Sequence, residues 1–467
     1  MKIGFAGYIR VLTAVLYCGV VACCFAFLSD LLGNAGRDER GPFKDGGVVL
    51  KTDFPSYYYG AAALSRGVNP YDVRLLASLA RADGVDSPVY PYLYPPLFAS
   101  LLKPLARLAP EKAEAIWTEV GVLLSGMVLC LTLFLRVWDR GARSEARKMD
   151  LSEQLLSALL VLLLLVVLPF RQNIEWGQVN PLVLVLVLCA LLLSDQRKGE
   201  VLAGVCLAAA ALVKVTPALL LVLFLITGRR RSVYGFFLGV LGLVLLSIII
   251  DGWSPWVHYL QFVPNMGYGR NIEGLFHPSV NANFSLSAFW IRALQGAGPV
   301  VRLVGMLSAL TLFVMVLYVG LRIRGGRSYH FLVLPFMVLM VIVSPLAWRH
   351  HLVYLLPGVF LTVRYLASES GGSGRWVWAG VLLVLAAGST MDFSMVYRNL
   401  AIPEVVRPIA TSLNLYCLVG LLFASLACAY RPVRRPAGGM ERMEGSLLPA
   451  SPTSFRSRIH IQQNTSQ

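Results

Sequence analysis

Leu303–Leu321 reads LVGMLSALTLFVMVLYVGL, an uncharged run closed by Arg302 on one side and Arg322 on the other. As a helix rising ~1.5 Å per residue it would be about 28 Å long, close to the thickness of a bilayer's hydrocarbon core. The pattern recurs. Val11–Ser29, Leu155–Phe170, Ser232–Ile250, Phe331–Trp348 and Pro408–Tyr430 are also free of charge. Over 467 residues, 57% are apolar and only 14% charged, where soluble domains carry about 25%. One soluble core cannot hide that excess. The chain therefore reads as all-α: a polytopic membrane helix bundle.

The first apolar block follows Lys2 and Arg10, like the start of a signal peptide. It is too long for one and lacks a small-residue cleavage site, so it is expected to be a retained helix with a cytoplasmic N-terminus. All eight cysteines fall inside apolar blocks and none has metal-ligand spacing with histidine. The net charge of +16 would suit nucleic acid, but the cations are scattered through short connections, so no nucleic-acid partner is expected. Asp139–Asp150, Asp195–Glu200, Arg229–Ser232 and Arg322–Tyr329 together hold twelve Lys and Arg, against five in the alternating connections. The positive-inside rule puts the first set in the cytoplasm.

Pro95–Leu108 is apolar but short and is interrupted by Lys103 and Pro104. Read as a re-entrant or interfacial hairpin, it keeps later loops on their favoured sides and gives about twelve crossings with both termini inside. Residues 1–430 then form one membrane domain, and 431–467 a basic, disordered cytoplasmic tail. Two large loops face outward, 33–93 and 251–294. In the first, Val73, Leu76 and Leu79 recur at helical spacing with arginines opposite, which predicts a helix on the membrane surface.

Five polar clusters fall on the outer side. Asp53 stands in KTDFPSYYYG, where a carboxylate could take a proton from a sugar hydroxyl; it could equally be a solvated N-cap. Tyr57 and Tyr58 could stack on sugars or anchor a helix at the interface. YPYLYPPL, Tyr90–Leu97, needs no role beyond starting the hairpin. RQNIEWGQVNP, Arg171–Pro181, packs Glu175, Gln178 and Asn180 into a tight turn that could be merely solvated. Lys214, in AALVKVTP, sits between two short apolar stretches. A cation at membrane depth costs ~3 kcal/mol, so it should line a cavity, pair with an anion or snorkel. SPLAWRHH, Ser344–His351, sets Arg349, His350 and His351 in a row, suited to phosphate oxygens or to snorkelling beside Trp348.

The ordered set DFPSYYYGAAALSRGVNPYD, YLYPPLFASLLKPLARL, EWGQVNPLVL, LVKVTPALL and SPLAWRHHLVYLLP resembles glycosyltransferase family 87, over roughly residues 50–360. The resemblance implies a GT-C-like fold in a bacterial plasma membrane, with a first outer loop carrying interfacial helices. It implies transfer of a hexose, most simply mannose, from a polyprenyl-phosphate donor to a glycolipid or glycan acceptor at the extracytoplasmic face. Asp53 matches the family's general base, one of His350 and His351 its functional histidine, Lys214 its K-x-T-P segment, and Gln178 and Asn180 its G-Q-x-N segment. Arg349 would join Lys214 on the donor phosphate, with Tyr57, Tyr58 and Glu175 lining the substrate. No outer loop carries a DxD motif, so neither a metal nor any other cofactor is expected. The rival reading is a transporter or flippase of lipid-linked sugars, which twelve crossings would also fit.

Overall fold

The computed structural model describes residues 48–135, 168–323, 328–368, 374–393, 397, 402–403 and 406–430. The expected first helix, most of Leu155–Phe170, the Asp139–Asp150 connection and the tail fall outside the described residues. Among those described there is no strand, only an isolated bridge between Val48 and Val85.

The stretch from residue 48 to residue 93 contributes α1 (Phe54–Ser65) and α2 (Val73–Ala82), which differ in kind. In α1 every residue from Phe54 to Leu64 is buried. Its tyrosines are core residues, not interfacial anchors. α2 is amphipathic: Asp72 caps it, Leu76 and Ala80 are buried, and its arginines face out. Arg74 reaches Glu273, some two hundred residues further along the chain, at 2.8 Å.

The Pro95–Leu108 stretch forms a seven-residue helix, α3 (Pro96–Leu102), and a single 3-10 turn. At ~1.5 Å per residue α3 is about 10 Å long, a third of what a crossing needs. Lys103 and Ser100 both bond Asp251, which ends a later helix.

The bundle continues with α4 (Pro110–Phe134), α5 (Leu168–Glu175), α6 (Asn180–Ser194), α7 (Glu200–Val213), α8 (Leu220–Ile226) and α9 (Arg230–Asp251). After them come α10 (Ser254–Phe262), α11 (Leu286–Ala293), α12 (Pro299–Arg322), α13 (Ser328–Ile342), α14 (Leu355–Ser368), α15 (Gly374–Thr390) and α16 (Leu413–Tyr430). Among the described residues, four helices are long and apolar enough to cross a membrane: Pro110–Thr132, Arg230–Asp251, Pro299–Arg322 and Leu413–Tyr430. Their outward residues are apolar, with Ile249 81% and Val300 67% exposed, as a lipid-facing surface requires.

Two features set up the site. α7 and α9 cross closely: a Cβ on Gly204 would lie 2.0 Å from the Ser232 carbonyl oxygen, and one on Gly235 2.1 Å from that of Val201. Such small-residue contacts let backbones approach in membranes. α13 is buried all round from Leu332 to Ile342, then breaks at Ser344-Pro345. The chain re-enters the bundle as a 3-10 helix, Arg349–Tyr354, leading into α14.

Candidate active site

Helix breaks expose the polar groups that converge here. α7 ends at Lys214, whose backbone is extended (φ −149°, ψ 123°). A 3-10 turn, Thr216–Leu219, precedes α8. Pro217 lacks an N–H for the helical ladder, and its ring disfavours the α conformation at Thr216. α5 stops at Glu175, and Gly177 (φ +66°) turns the chain into α6. A Cβ at Gly177 would lie 3.1 Å from that of Phe54, beside Asp53, so the turn packs directly on the start of α1. The Trp117 indole donates to the Gly177 carbonyl at 2.7 Å and holds the turn.

Asp53 is the N-terminal residue of α1, yet its carboxylate makes no capping bond. It accepts a hydrogen bond from Gln178 Nε2 instead. Its backbone N–H donates to the Trp176 carbonyl at 3.1 Å. Burial pushes the carboxyl up from the ordinary 3.8 to about 7, against the pull of Lys214 and the bond from Gln178. The solvated-cap reading does not fit this carboxylate.

From Gln178 the polar network runs on. The Tyr57 hydroxyl approaches Gln178 Oε1 at 3.4 Å and the Tyr94 hydroxyl at 3.0 Å. The Tyr94 ring lies 6.0 Å from Lys214 Nζ, within reach of a cation–π contact. Lys214 Nζ donates to Asn180 Oδ1 at 2.8 Å and meets His351 Nε2 at 2.7 Å. Asn180 Oδ1 also accepts from the Tyr354 hydroxyl at 2.7 Å.

His351 Nδ1 accepts the Trp348 backbone N–H at 2.9 Å, so the neutral ring carries its proton on Nε2, facing Lys214. These two nitrogens bond each other directly only while one of them offers a lone pair. A phosphate oxygen could accept from both. His350 differs. Its ring packs edge-on against Trp176, with centroids 5.3 Å apart, and its carbonyl accepts from Asn173 Nδ2 at 2.8 Å. Of the adjacent histidines, His351 is the one that meets Lys214.

Asp53, Tyr57, Gln178, Asn180, Lys214 and His351 thus form one connected cluster. Four expected members do not join it: the His350 ring, packed on Trp176, and three more side chains. The Tyr58 hydroxyl donates to the Leu108 carbonyl at 2.7 Å, on another face of α1. Glu175 is exposed and pairs with Arg171 one helical turn away. The Arg349 guanidinium pairs with Asp392 at 3.5 Å rather than with the Lys214–His351 pair.

Four residues were missed. Tyr94 bridges the two halves of the cluster, although YPYLYPPL looked purely structural. Asn173, 1% exposed, accepts from Asn180 Nδ2 at 2.8 Å and ties that turn to His350; it stood in the quoted polar turn, two residues from Glu175. Tyr354 follows His351 by three residues. Asn283, in the loop between α10 and α11, uses its whole amide: Oδ1 accepts from Ser285 and Ala347 at 3.1 and 3.0 Å. Its Nδ2 donates to the Pro278 and Pro345 carbonyls at 3.1 and 3.3 Å. The loop is thereby fastened to the turn that presents His351.

The sequence model of glycosyltransferase family 87 matches residues 92–347. The chain belongs to glycosyltransferase family 87. The match takes in Tyr94, Asn173, Gln178, Asn180, Lys214 and Asn283; the histidine pair lies just past its end, and Asp53 well before its start. Similar proteins include a polyprenol-phosphate-mannose-dependent alpha-(1-2)-phosphatidylinositol mannoside mannosyltransferase of Mycolicibacterium smegmatis. It is 25% identical over 315 residues, 63% of this chain and 68% of the relative. A protein of the same description from Mycobacterium tuberculosis is 25% identical over 58% of this chain and 61% of its own length. A third, the corresponding pentamannoside mannosyltransferase of M. smegmatis, is 26% identical over 76% of this chain and 79% of the relative. The protein is a hexosyltransferase, and these matches do not favour the transporter or flippase reading.

Proposed function

We propose that the protein transfers a mannosyl residue from a polyprenyl-phosphate donor to a hydroxyl of a glycolipid acceptor at the outer face of a bacterial plasma membrane. The donor and acceptor classes are those in the names of the relatives. The observation that carries the reading is that a carboxylate at a helix start leaves its own helix uncapped and turns to Gln178. A hydrogen-bonded path runs from there to Tyr94, whose ring approaches Lys214 beside His351.

Asp53 acts as general base. The acceptor hydroxyl attacks the anomeric carbon, Asp53 takes its proton, and the carbon–oxygen bond to phosphate breaks with its electron pair leaving on the polyprenyl phosphate. The anomeric configuration inverts. Lys214 Nζ and His351 Nε2 donate to the phosphate oxygens, where negative charge grows in the transition state. Gln178 orients the base, while Asn180 and Tyr354 fix the lysine. A base that titrates near 7 is matched to proton transfer at neutral pH. About twelve crossings, with both termini cytoplasmic, would put the cluster at the outer edge of the bundle. Reporter fusions at Ser144 and Gly274 should then lie in opposite compartments; the same compartment for both would sink that topology.

The direct test of function is in vitro. Purified protein supplied with polyprenyl-phosphate mannose and envelope glycolipids from a deletion strain should return one missing hexose to one species, read by mass spectrometry. No transfer to any lipid of that strain would defeat the proposal.

A further inference from the structure

A cavity of about 530 Å³ opens between the end of the second outer loop and the segment leading into α16, and none of its lining residues belongs to the Asp53–His351 cluster. Its size is within the ~300–1,000 Å³ of small-ligand sites. Two guanidiniums, Arg292 and Arg407, line it together with His277, Asn281 and Gln295, and among the described residues the lining holds no carboxylate.

Arg292 is only 9% exposed. Its Nη1 donates to the backbone carbonyls of Ser279, Val280 and Asn283 at 3.4, 3.1 and 3.1 Å. Its Nη2 donates to Ser412 Oγ at 3.1 Å, and its buried Nε meets no acceptor among the described residues. These acceptors are all neutral. A buried cation so held gains from a nearby anion. His277 Nδ1 is taken by Ser279, with Oγ at 2.6 Å and the backbone N–H at 3.3 Å, so the neutral ring keeps Nε2 as a donor.

Gln295 is the second sign. It stands just past the C-cap of α11 at φ +52°, among the described residues the one non-glycine at positive φ. Gly296 N–H donates to the Ile291 carbonyl at 3.0 Å, the helix-ending pattern in which glycine usually holds the left-handed position. A glutamine there is strained, and such strain is kept where a side chain is needed. This side chain lines the cavity. Apolar residues flank the site along the chain: Leu294, Val406, Ile409 and Leu413 are all exposed.

We propose that this cavity binds a phosphate-bearing lipid headgroup, with Arg292 and Arg407 on the phosphate, Gln295 and Asn281 on headgroup hydroxyls, and the flanking apolar residues against the chains. In the transfer reaction this is the acceptor's dock, an assignment that rests on the proposed function; the anion site itself does not. Arg292 also holds the Asn283 carbonyl, and the Asn283 side chain holds Pro345 and Ala347. The dock and the His351 turn therefore share one loop.

The test is native mass spectrometry of the full-length protein titrated with dioctanoyl phosphatidylinositol, dioctanoylglycerol or sodium phosphate. Dioctanoyl phosphatidylinositol should bind saturably and dioctanoylglycerol should not compete, with inorganic phosphate at least about tenfold weaker. Arg407→Gln should weaken the phospholipid about tenfold, and Gln295→Gly about threefold, a share fitting one lost charge-assisted contact and one lost amide contact. Because glycine relieves the φ strain, Gln295→Gly should melt no lower than wild type, so its loss of binding cannot come from unfolding. Phospholipid affinity unchanged in both variants, or inorganic phosphate binding as tightly as the phospholipid, would overturn the site. Polyprenyl-phosphate binding should be untouched in both. Its absence from the wild-type protein would break the proposed reaction and leave the anion site standing.

Discussion

Asp53 and Asp72 lie nineteen residues apart, each at the N-cap of a short helix. Asp72 does what the position suggests: its carboxylate accepts from the backbone N–H groups of Arg74 and Leu75 at 3.0 and 3.2 Å. Asp53 leaves its helix uncapped and bonds Gln178 across the bundle. α2 is amphipathic and open to solvent, so a capping carboxylate there stays hydrated. α1 is buried along its length, so a carboxylate at its start loses water and has to find other partners. Burial of the helix, not the residue at its cap, separates an aspartate that caps its own helix from one that turns into the bundle.

The largest expected effect comes from exchanging each aspartate for its amide. Asp53→Asn removes only the proton-accepting oxygen and should lower transfer by about 10³-fold or more, within the range general-base catalysis supplies together with positioning. Donor binding should stay near wild type. Asp72→Asn should keep full transfer, because asparagine also caps helices. Equal losses in the two variants would erase the distinction. The sign of the stability effect is also fixed. The folded Asp53 carboxyl titrates above its ordinary value, so the folded state binds the extra proton and loses relative stability as pH rises from about 4 to 7. At pH 8 Asp53→Asn should therefore melt no lower than wild type.

Next come Lys214 and His351. Lys214→Ala and His351→Ala should each weaken polyprenyl-phosphate binding about tenfold, while the double variant loses less than the sum of the two, since each nitrogen is the other's neighbour. Strict additivity in a donor-binding titration would mean that they do not share a phosphate.

Helical phase explains what could and could not be read from the sequence. Leu303–Leu321 was legible because apolar residues at spanning length have few alternatives, and it falls inside α12 as read. Lys214, Asn180 and His351 were legible because polar groups are rare there. Which neighbour turned inward was not. Asn173 and Glu175 share α5 and lie ~200° apart around its axis; one is buried in the cluster and the other exposed. Tyr57 and Tyr58, ~100° apart, divide between the cluster and the Leu108 carbonyl. The same holds for Arg349 and His351 on their 3-10 turn. Without knowing which stripe faces the bundle, residue type could not choose between such neighbours.

The smallest effect belongs to the ordinary aspartate. Asp72→Ala removes a cap worth ~1 kcal/mol and should lower the melting temperature by about one degree with transfer unchanged. A large loss of transfer there would show that α2 reaches the chemistry.

The pH dependence of kcat/KM for mannosyl transfer tests the role of Asp53 most directly, because that parameter reports the free enzyme's titrating base. The base works deprotonated and titrates at about 7. The rate should climb roughly tenfold per pH unit below that value. A rate that is flat between about pH 5.5 and 8.5, or one that falls from the ordinary aspartate range upward, would contradict a partly buried Asp53 acting as the base.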